Sequence, residues 1–284
     1  MHTPNITDVI FGASELPLLD PAEDFIEASK LHRHLGPMEV PGIYMLESSP
    51  WLVEGTSRAG KQFRHLPSFQ LPDPGAYRDS ITLGDALASR RTPIGEFASG
   101  TPATDVELSW WCWAADGYVR HVSAFHTGHT APSGGALRPR DLYVSLRDGI
   151  GPSAGLYYYE PQSHTLFQVG TATPTELGSA TPEEKLFKNV DAVFIISAFP
   201  LRSRFKYGIR ATRFALMEAG HVAQNLLLGV LATGHVALPM GGFFDDELAD
   251  LLGLDGVHEF PVYALLVGRP EDVVALHDAK GEVS

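Results

Sequence analysis

Lys206 and Tyr207 lie inside LRSRFKYGIRATR, Leu201 to Arg213, which gathers Arg202, Arg204, Lys206, Arg210 and Arg213 in a chain of formal net charge −13. A local positive field favours the deprotonated form of a lysine ammonium or a tyrosine phenol within it, bringing either towards general-base work. The plain alternative is a solvated strand face, because basic residues alternate along LRSRFKY. A second cationic group, Arg90 and Arg91 with Thr92, offers two guanidiniums and a hydroxyl to a phosphate or an electron-rich ring. Arginines at a helix end serve the helix dipole equally well.

Two glycine-bearing segments could admit a flat ligand. In APSGGALRPRDLYV, Pro132, Ser133 and Gly134 precede Gly135, and paired glycines permit both positive φ and close approach to the backbone; a tight loop is the simpler reading. In LPMGGF, Pro239, Met240, Gly241 and Gly242 expose backbone N–H groups to the edge of a planar cofactor, or simply make a turn between helices. His121, His126 and His129 lack the i, i+4 spacing and intervening carboxylate of a helical zinc site, so no metal is expected. His221 reads as a core histidine of a long helix.

Patterning places these groups. A helix starts after Asp79 or Ser80 and stops before Pro93, leaving Arg90 and Arg91 at its end. Asp105 to Val119 reads as a helix, Asp141 to Leu146 as a strand, and GLYYYEPQSHTLFQV as two strands around a turn. Ala192 to Phe199 reads as a buried strand. Thr212 to Thr233 carries a helical apolar period that Gly234 can close, Asp245 can cap a short helix, and Pro261 to Gly268 is a last strand. Helices and strands mix without a β-α-β rhythm, which predicts an α+β class.

The 284 residues are 44% hydrophobic and 19% charged, a globular composition. The acidic balance weighs against nucleic acid and anionic membranes. A single cysteine, Cys112, excludes an internal disulfide and a thiolate metal cluster, and fits a reducing, cytoplasmic setting. The acidic N-terminus lacks the pattern of a signal peptide, and the apolar runs are too short or interrupted to span a bilayer. GxGxxG and GxxxxGK[ST] are both missing from the chain, which weighs against Rossmann and P-loop sites.

In order and type, RRTPIGEF, PSGGALRPRDLYV, GLYYYEPQSHTLFQV, FALMEAGHVAQNLLLGVLATG, LPMGGFFDDELADLLGL and PVYALLVGRP resemble the nitroreductase-like FMN flavoenzymes, in particular their SagB-type azoline dehydrogenase branch. The resemblance runs from about Asp79 to Pro270. It implies an α+β fold with a mainly antiparallel central sheet flanked by helices, assembled as a homodimer with FMN at the subunit interface. Residues 1–77 are then an N-terminal extension that docks a peptide or partner or covers the pocket, and 78–284 the FMN-binding domain.

Carried over by motif, Arg90, Arg91 and Thr92 bind the FMN phosphate and ring, Pro132, Ser133 and Gly134 contribute from the other subunit, and Pro239, Met240, Gly241 and Gly242 line the isoalloxazine. RRTPIGEF departs from the family's Arg-Arg-Ser start: Thr replaces Ser, a second basic residue is missing and one residue is inserted. Arg269 or Lys280 could supply a further phosphate ligand.

Lys206-Tyr207 is similar to the Lys-Tyr pair of the azoline dehydrogenases. The resemblance implies a dehydrogenase turning thiazolines or oxazolines of a ribosomal precursor peptide into azoles beside a cyclodehydratase. The α-proton passes to Lys206 or Tyr207 and a hydride to flavin. In an extended strand the two side chains point to opposite faces, so joint action requires a break such as Gly208. Two other readings stand: an NAD(P)H-dependent FMN reductase of small quinones or nitro compounds, and a non-catalytic scaffold.

Overall fold

In the computed structural model, residues 20–49, 51–52, 60–93, 95–121 and 127–270 are described. His126 and Lys280 of the expected sites fall outside them. The strands are β1 Ser68–Gln70, β2 Tyr118–His121, β3 Thr127–His129, β4 Arg140–Leu146, β5 Gly155–Glu160, β6 Thr165–Gly170, β7 Ala192–Ala198, β8 Val236–Met240 and β9 Phe260–Gly268. The helices are α1 Pro21–Ala28, α2 Gly36–Glu39, α3 Pro41–Ser48, α4 Leu83–Ser89, α5 Asp105–Asp116, α6 Pro174–Gly178, α7 Leu201–Tyr207, α8 Ala211–Gly229 and α9 Asp245–Leu252.

Seven strands form one antiparallel sheet in the order β1-β6-β5-β4-β7-β9-β8. Successive strand side chains point to opposite faces, and both faces of this sheet are covered. From β7, Ala192, Phe194 and Ile196 join the core under α5 and α8, with Leu108, Trp111, Val222 and Leu226. Val193 and Ile195 join the opposite core, with Leu177 of α6 and Leu248 and Leu252 of α9. The result is the α+β sandwich that the sequence predicts.

α5 begins in a capping box between Thr104 and Glu107 and packs directly on α8. A Cβ on Gly229 would lie 2.6 Å from the Ala114 Cβ, so glycine sets that close approach. Trp110 donates to the Gly229 carbonyl at 2.8 Å and Trp111 to the Thr233 hydroxyl at 2.9 Å, so both indoles are buried with their N–H groups paired. The helical run from Leu201 to Thr233 is long and apolar enough to cross a membrane. Its stripe of Ala215, Ala219, Val222, Leu226 and Val230 is buried in this domain.

Several expectations are corrected. LRSRFKY is the helix α7, not a strand: it holds no β-branched residue, its Leu, Arg and Lys are good helix formers, and Gly208 at φ +56° ends it. His221 is exposed on α8, whereas His235 is the buried histidine, packed on Trp111 at 4.8 Å. Asp245 is the first helical residue of α9 and makes no side-chain cap; Phe244 holds the cap position. LPM belongs to β8, an edge strand in which Pro239 faces no lost ladder partner on its outer side.

The segment before Tyr77 is partly woven into the domain. β1 pairs with β6, and Leu71 is buried in the core below α5. Farther upstream, α3 lies on α7.

Candidate functional site

The loop between Ala131 and Pro139 is the centre of the site. Gly134–Ala136 makes one 3-10 turn, followed by a left-handed Arg138 at φ +46°. The turn is tied to α8: Ser133 Oγ and the Gly134 N–H both donate to Glu218 Oε1, at 3.0 and 2.8 Å, and the Arg138 N–H donates to Ser133 Oγ at 2.9 Å.

Glu218 is a buried carboxylate on an otherwise apolar helix face. Burial pushes its pKa up, against the Arg140 charge and the two loop donors. Its Oε2 has no hydrogen-bond partner among the described residues and stands 3.7 Å from Arg140 Nε. Arg140 closes on Asp116 through both terminal nitrogens, and Asp116 meets His129 at 3.2 Å. Burial acts to raise the Asp116 carboxyl, but Arg140 and His129 outweigh it and hold it below the usual range.

The helix α7 brings Lys206 and Tyr207 to the same turn. A Cβ on Gly135 would lie 2.6 Å from Lys206 Nζ and 2.7 Å from the Tyr207 hydroxyl, so both polar ends converge over one bare Cα. Neighbours on a helix differ by about 100° in direction, not 180°, and this lets both serve one locus. Tyr207 is braced edge-on by Phe214 at 4.8 Å, and Lys206 Nζ is 5.1 Å from the tyrosine ring. The basic run is largely engaged: Arg202 forks onto Asp141, while Arg210 and Arg213 donate to the Ser29 and Ile26 carbonyls.

The other expected groups lie elsewhere on the chain. Arg90 caps the C-terminal end of α4, where Arg91 and Thr92 are exposed; Arg90 donates to Thr92 Oγ1 at 3.4 Å and Arg91 to the Ala88 carbonyl at 2.8 Å. Pro239 and Met240 end β8, and Gly241 and Gly242 follow with open space where a Cβ would stand. Arg269 donates to the Thr101 carbonyl at 3.4 Å. Among the described residues no hydrogen bond links the Arg90, Pro132 and Pro239 groups. Their chemistry fits FMN: guanidiniums with no carboxylate partner among the described residues for a phosphate, side-chain-free backbone for a ring, and a small Pro-Ser-Gly turn.

Neither Glu218 nor Arg138 is singled out by sequence reasoning. A lone glutamate inside the apolar FALMEAGHVAQN was the available signal for the first; nothing local marks the second.

The chain combines a seven-stranded antiparallel sheet, one long helix buried on it and a glycine turn tied to that helix. The nitroreductase family matches residues 112–269, and the chain belongs to it. It is 35% identical over 201 residues to MJ1384 of Methanocaldococcus jannaschii, which bears a nitroreductase name, covering 70% of this chain and 95% of that protein. It is 29% identical to the microcin B17-processing protein McbC of Escherichia coli, covering 50% of this chain and 54% of McbC, so the match spans about half of that protein. Among solved structures, a nitroreductase-named protein of Ralstonia eutropha superposes with TM-score 0.59 at 25% identity, covering 72% of this chain and 90% of that one. A chain of the E. coli microcin synthetase McbBCD complex shares the fold, with TM-score 0.58 at 20% identity over 95% of this chain and 99% of that one. The expected nitroreductase-like, McbC-type resemblance therefore holds.

Proposed function

We propose that the protein is an FMN-dependent azoline dehydrogenase that oxidises thiazolines or oxazolines of a ribosomal precursor peptide to thiazoles or oxazoles. The observation that carries this reading is the convergence of Lys206 Nζ and the Tyr207 hydroxyl on Gly135 in the turn expected to meet the flavin. Nitroreductase-family membership and the likeness to a microcin B17-processing protein support it.

FMN, when bound, supplies the acceptor for the hydride that leaves the azoline ring. The remaining work falls to the chain. Arg90, Arg91 and Thr92 hold the phosphate, Gly241 and Gly242 present backbone to the ring, and Glu218 fixes Ser133 and Gly134. Lys206 or Tyr207 takes the α-proton, which the ring C=N and adjacent carbonyl acidify; the other orients it. The protein would work as a homodimer, with Pro132 to Gly134 reaching the partner's cofactor. The exposed apolar side chains of Leu216 and Met217 on α8 fit it. A cyclodehydratase would supply the azoline peptide in the cytoplasm.

The test begins with the visible spectrum of the purified protein and mass identification of what heat releases. Lys206→Ala and Tyr207→Phe should keep FMN and lose azole formation by roughly 10²–10⁴-fold, the usual range for a general base. Unchanged turnover in both overturns the role. A second reading, an NAD(P)H-dependent reductase, is favoured by the likeness to MJ1384 over nearly its whole length. Rapid bleaching of the flavin by NAD(P)H, with full activity in both variants, would put it first.

A further inference from the structure

A cavity of about 690 Å³ borders Arg138 of the Pro132–Pro139 loop, within the size range of ligand pockets, and none of the residues assigned above to flavin or proton transfer lines it. Its walls include Phe63, Arg64, Arg138, Arg140, Tyr158 and Arg202.

Most of that charge is already matched. Arg140 is closed on Asp116, and Arg202 forks onto Asp141, with Nη1 to Oδ1 at 3.0 Å. Lys61, which also borders the cavity, pairs with Glu259.

Arg64 and Arg138 are the exceptions, and of the two only Arg138 is withdrawn from solvent. It is half-buried, and among the described residues no carboxylate is in contact with it. Its side chain makes one long hydrogen bond, from Nη1 to the Thr127 carbonyl at 3.4 Å. Burial lowers its pKa, and Arg140 and Arg202 add to this against Asp116 and Glu218. A partly desolvated guanidinium beside two others is costly unless an anion meets it. The left-handed backbone at Arg138, uncommon for a residue with a Cβ, is held by the bond from its N–H to Ser133 Oγ, which ties this cavity-lining residue to the turn that faces Lys206.

We infer that this cavity is a subsite for a carboxylate-bearing residue of the peptide substrate, read by Arg138. Arg138 offers the half-buried guanidinium of this wall, with the exposed Arg64 beside it on the same lining, and its planar fork matches a carboxylate. The volume holds more than a lone oxyanion, and the adjoining wall is aromatic, with Phe63 edge-on to Tyr158 at 4.9 Å, which suits the methylenes of an aspartate or glutamate. Arg202 stands one helical turn before Lys206 on α7, so a peptide seated here runs towards the proposed base. The identity of the carboxylate's bearer rests on the peptide-dehydrogenase reading.

The test is calorimetric titration of the full chain with two blocked tetrapeptides, Ac-Gly-Glu-Phe-Gly-NH2 and its glutamine analogue. The glutamate peptide should bind about tenfold tighter, the scale of one charge-assisted hydrogen bond. That preference should weaken with added salt, persist in part in Arg138→Lys and vanish in Arg138→Gln. Equal binding of the two peptides by the unaltered protein, or an undiminished preference in Arg138→Gln, overturns the inference. So does displacement of the glutamate peptide by equimolar inorganic phosphate, which would mark a general oxyanion site. Failure to form azoles with the preference intact sinks only the dehydrogenase reading, whereas azole formation without the preference sinks only the subsite.

Discussion

Replacing Gly42 by Ala tests how strictly the segment before the nitroreductase-matched region positions the proposed base. A Cβ on Gly42 would stand 1.9 Å from the Phe205 carbonyl oxygen and 2.7 Å from the Lys206 Cα. Both are backbone atoms, so no side chain can rotate out of the way. Ordinary contact begins near 3.4 Å, so α3 and α7 must part by about 1.5 Å (3.4 less 1.9). Overpacking of this kind costs about 1–3 kcal/mol. Undocking α3 instead exposes Val40, now 5% exposed, at a similar cost of about 1.5–3 kcal/mol. At roughly 2–4 °C per kcal/mol for a chain of this size, thermal unfolding followed by circular dichroism should drop by several degrees. Turnover should suffer more, because a displacement near 1 Å at a catalytic group costs on the order of 10²-fold. A melting temperature within about a degree of the parent, with unchanged turnover, would refute the claim that α3 seats α7.

The buried acid–base chain behind the loop gives two more expectations. Glu218→Gln keeps an acceptor for Ser133 and Gly134 and should retain flavin, whereas Glu218→Ala leaves both donors unpaired at about 1–3 kcal/mol and should weaken flavin binding, read by fluorescence titration. Because burial raises the Glu218 carboxyl, its ionisation opposes folding: stability should fall as pH rises from the usual glutamate range towards that raised value, and Glu218→Gln should remove this slope in denaturant titrations. Asp116→Asn strands a guanidinium whose side chain is 1% exposed and should cost about 3–5 kcal/mol in urea unfolding. The Asp116 carboxyl is held below its usual range, so its contribution is present above the usual aspartate pKa and is lost as pH falls through the folded value.

Elements with a strong period were legible before any coordinates. β7 has a short run of β-branched and aromatic residues, and α8 carries an apolar stripe that runs on through a 3-10 turn, Val230–Thr233, ended by Gly234 at φ +72°; both stand where the pattern puts them. The strand misreading of LRSRFKY arose because alternate basic residues mimic a two-residue period, while in the helix Arg202 and Lys206 share a face four residues apart. That error concealed how Lys206 and Tyr207 meet, since the obstacle to joint action disappears once the segment is helical. His221 was misplaced for a related reason: a long apolar helix still has an outer side, and Leu216 and Met217 stand exposed there as well. Glu218 and Arg138 were illegible because each acts through a partner distant in sequence or through a left-handed backbone, neither of which a local window records.

The same contacts bear on what the N-terminal segment does. Arg210 and Arg213, which a sequence reading leaves free to set a positive field, donate to carbonyls of Ser29 and Ile26 instead. Glu39 brings its carbonyl to 2.9 Å from where a Cβ on Gly208 would stand, at the left-handed residue that ends α7. The segment therefore grips the end of α7 and the start of α8 through Gly208, Arg210 and Arg213, next to the proposed base. A peptide or partner that displaced α1–α3 would loosen the proposed base rather than merely uncover it. Docking at this segment, as proposed for residues 1–77, would then couple partner binding to turnover through the position of Lys206, and the Gly42→Ala substitution reproduces that displacement without a partner.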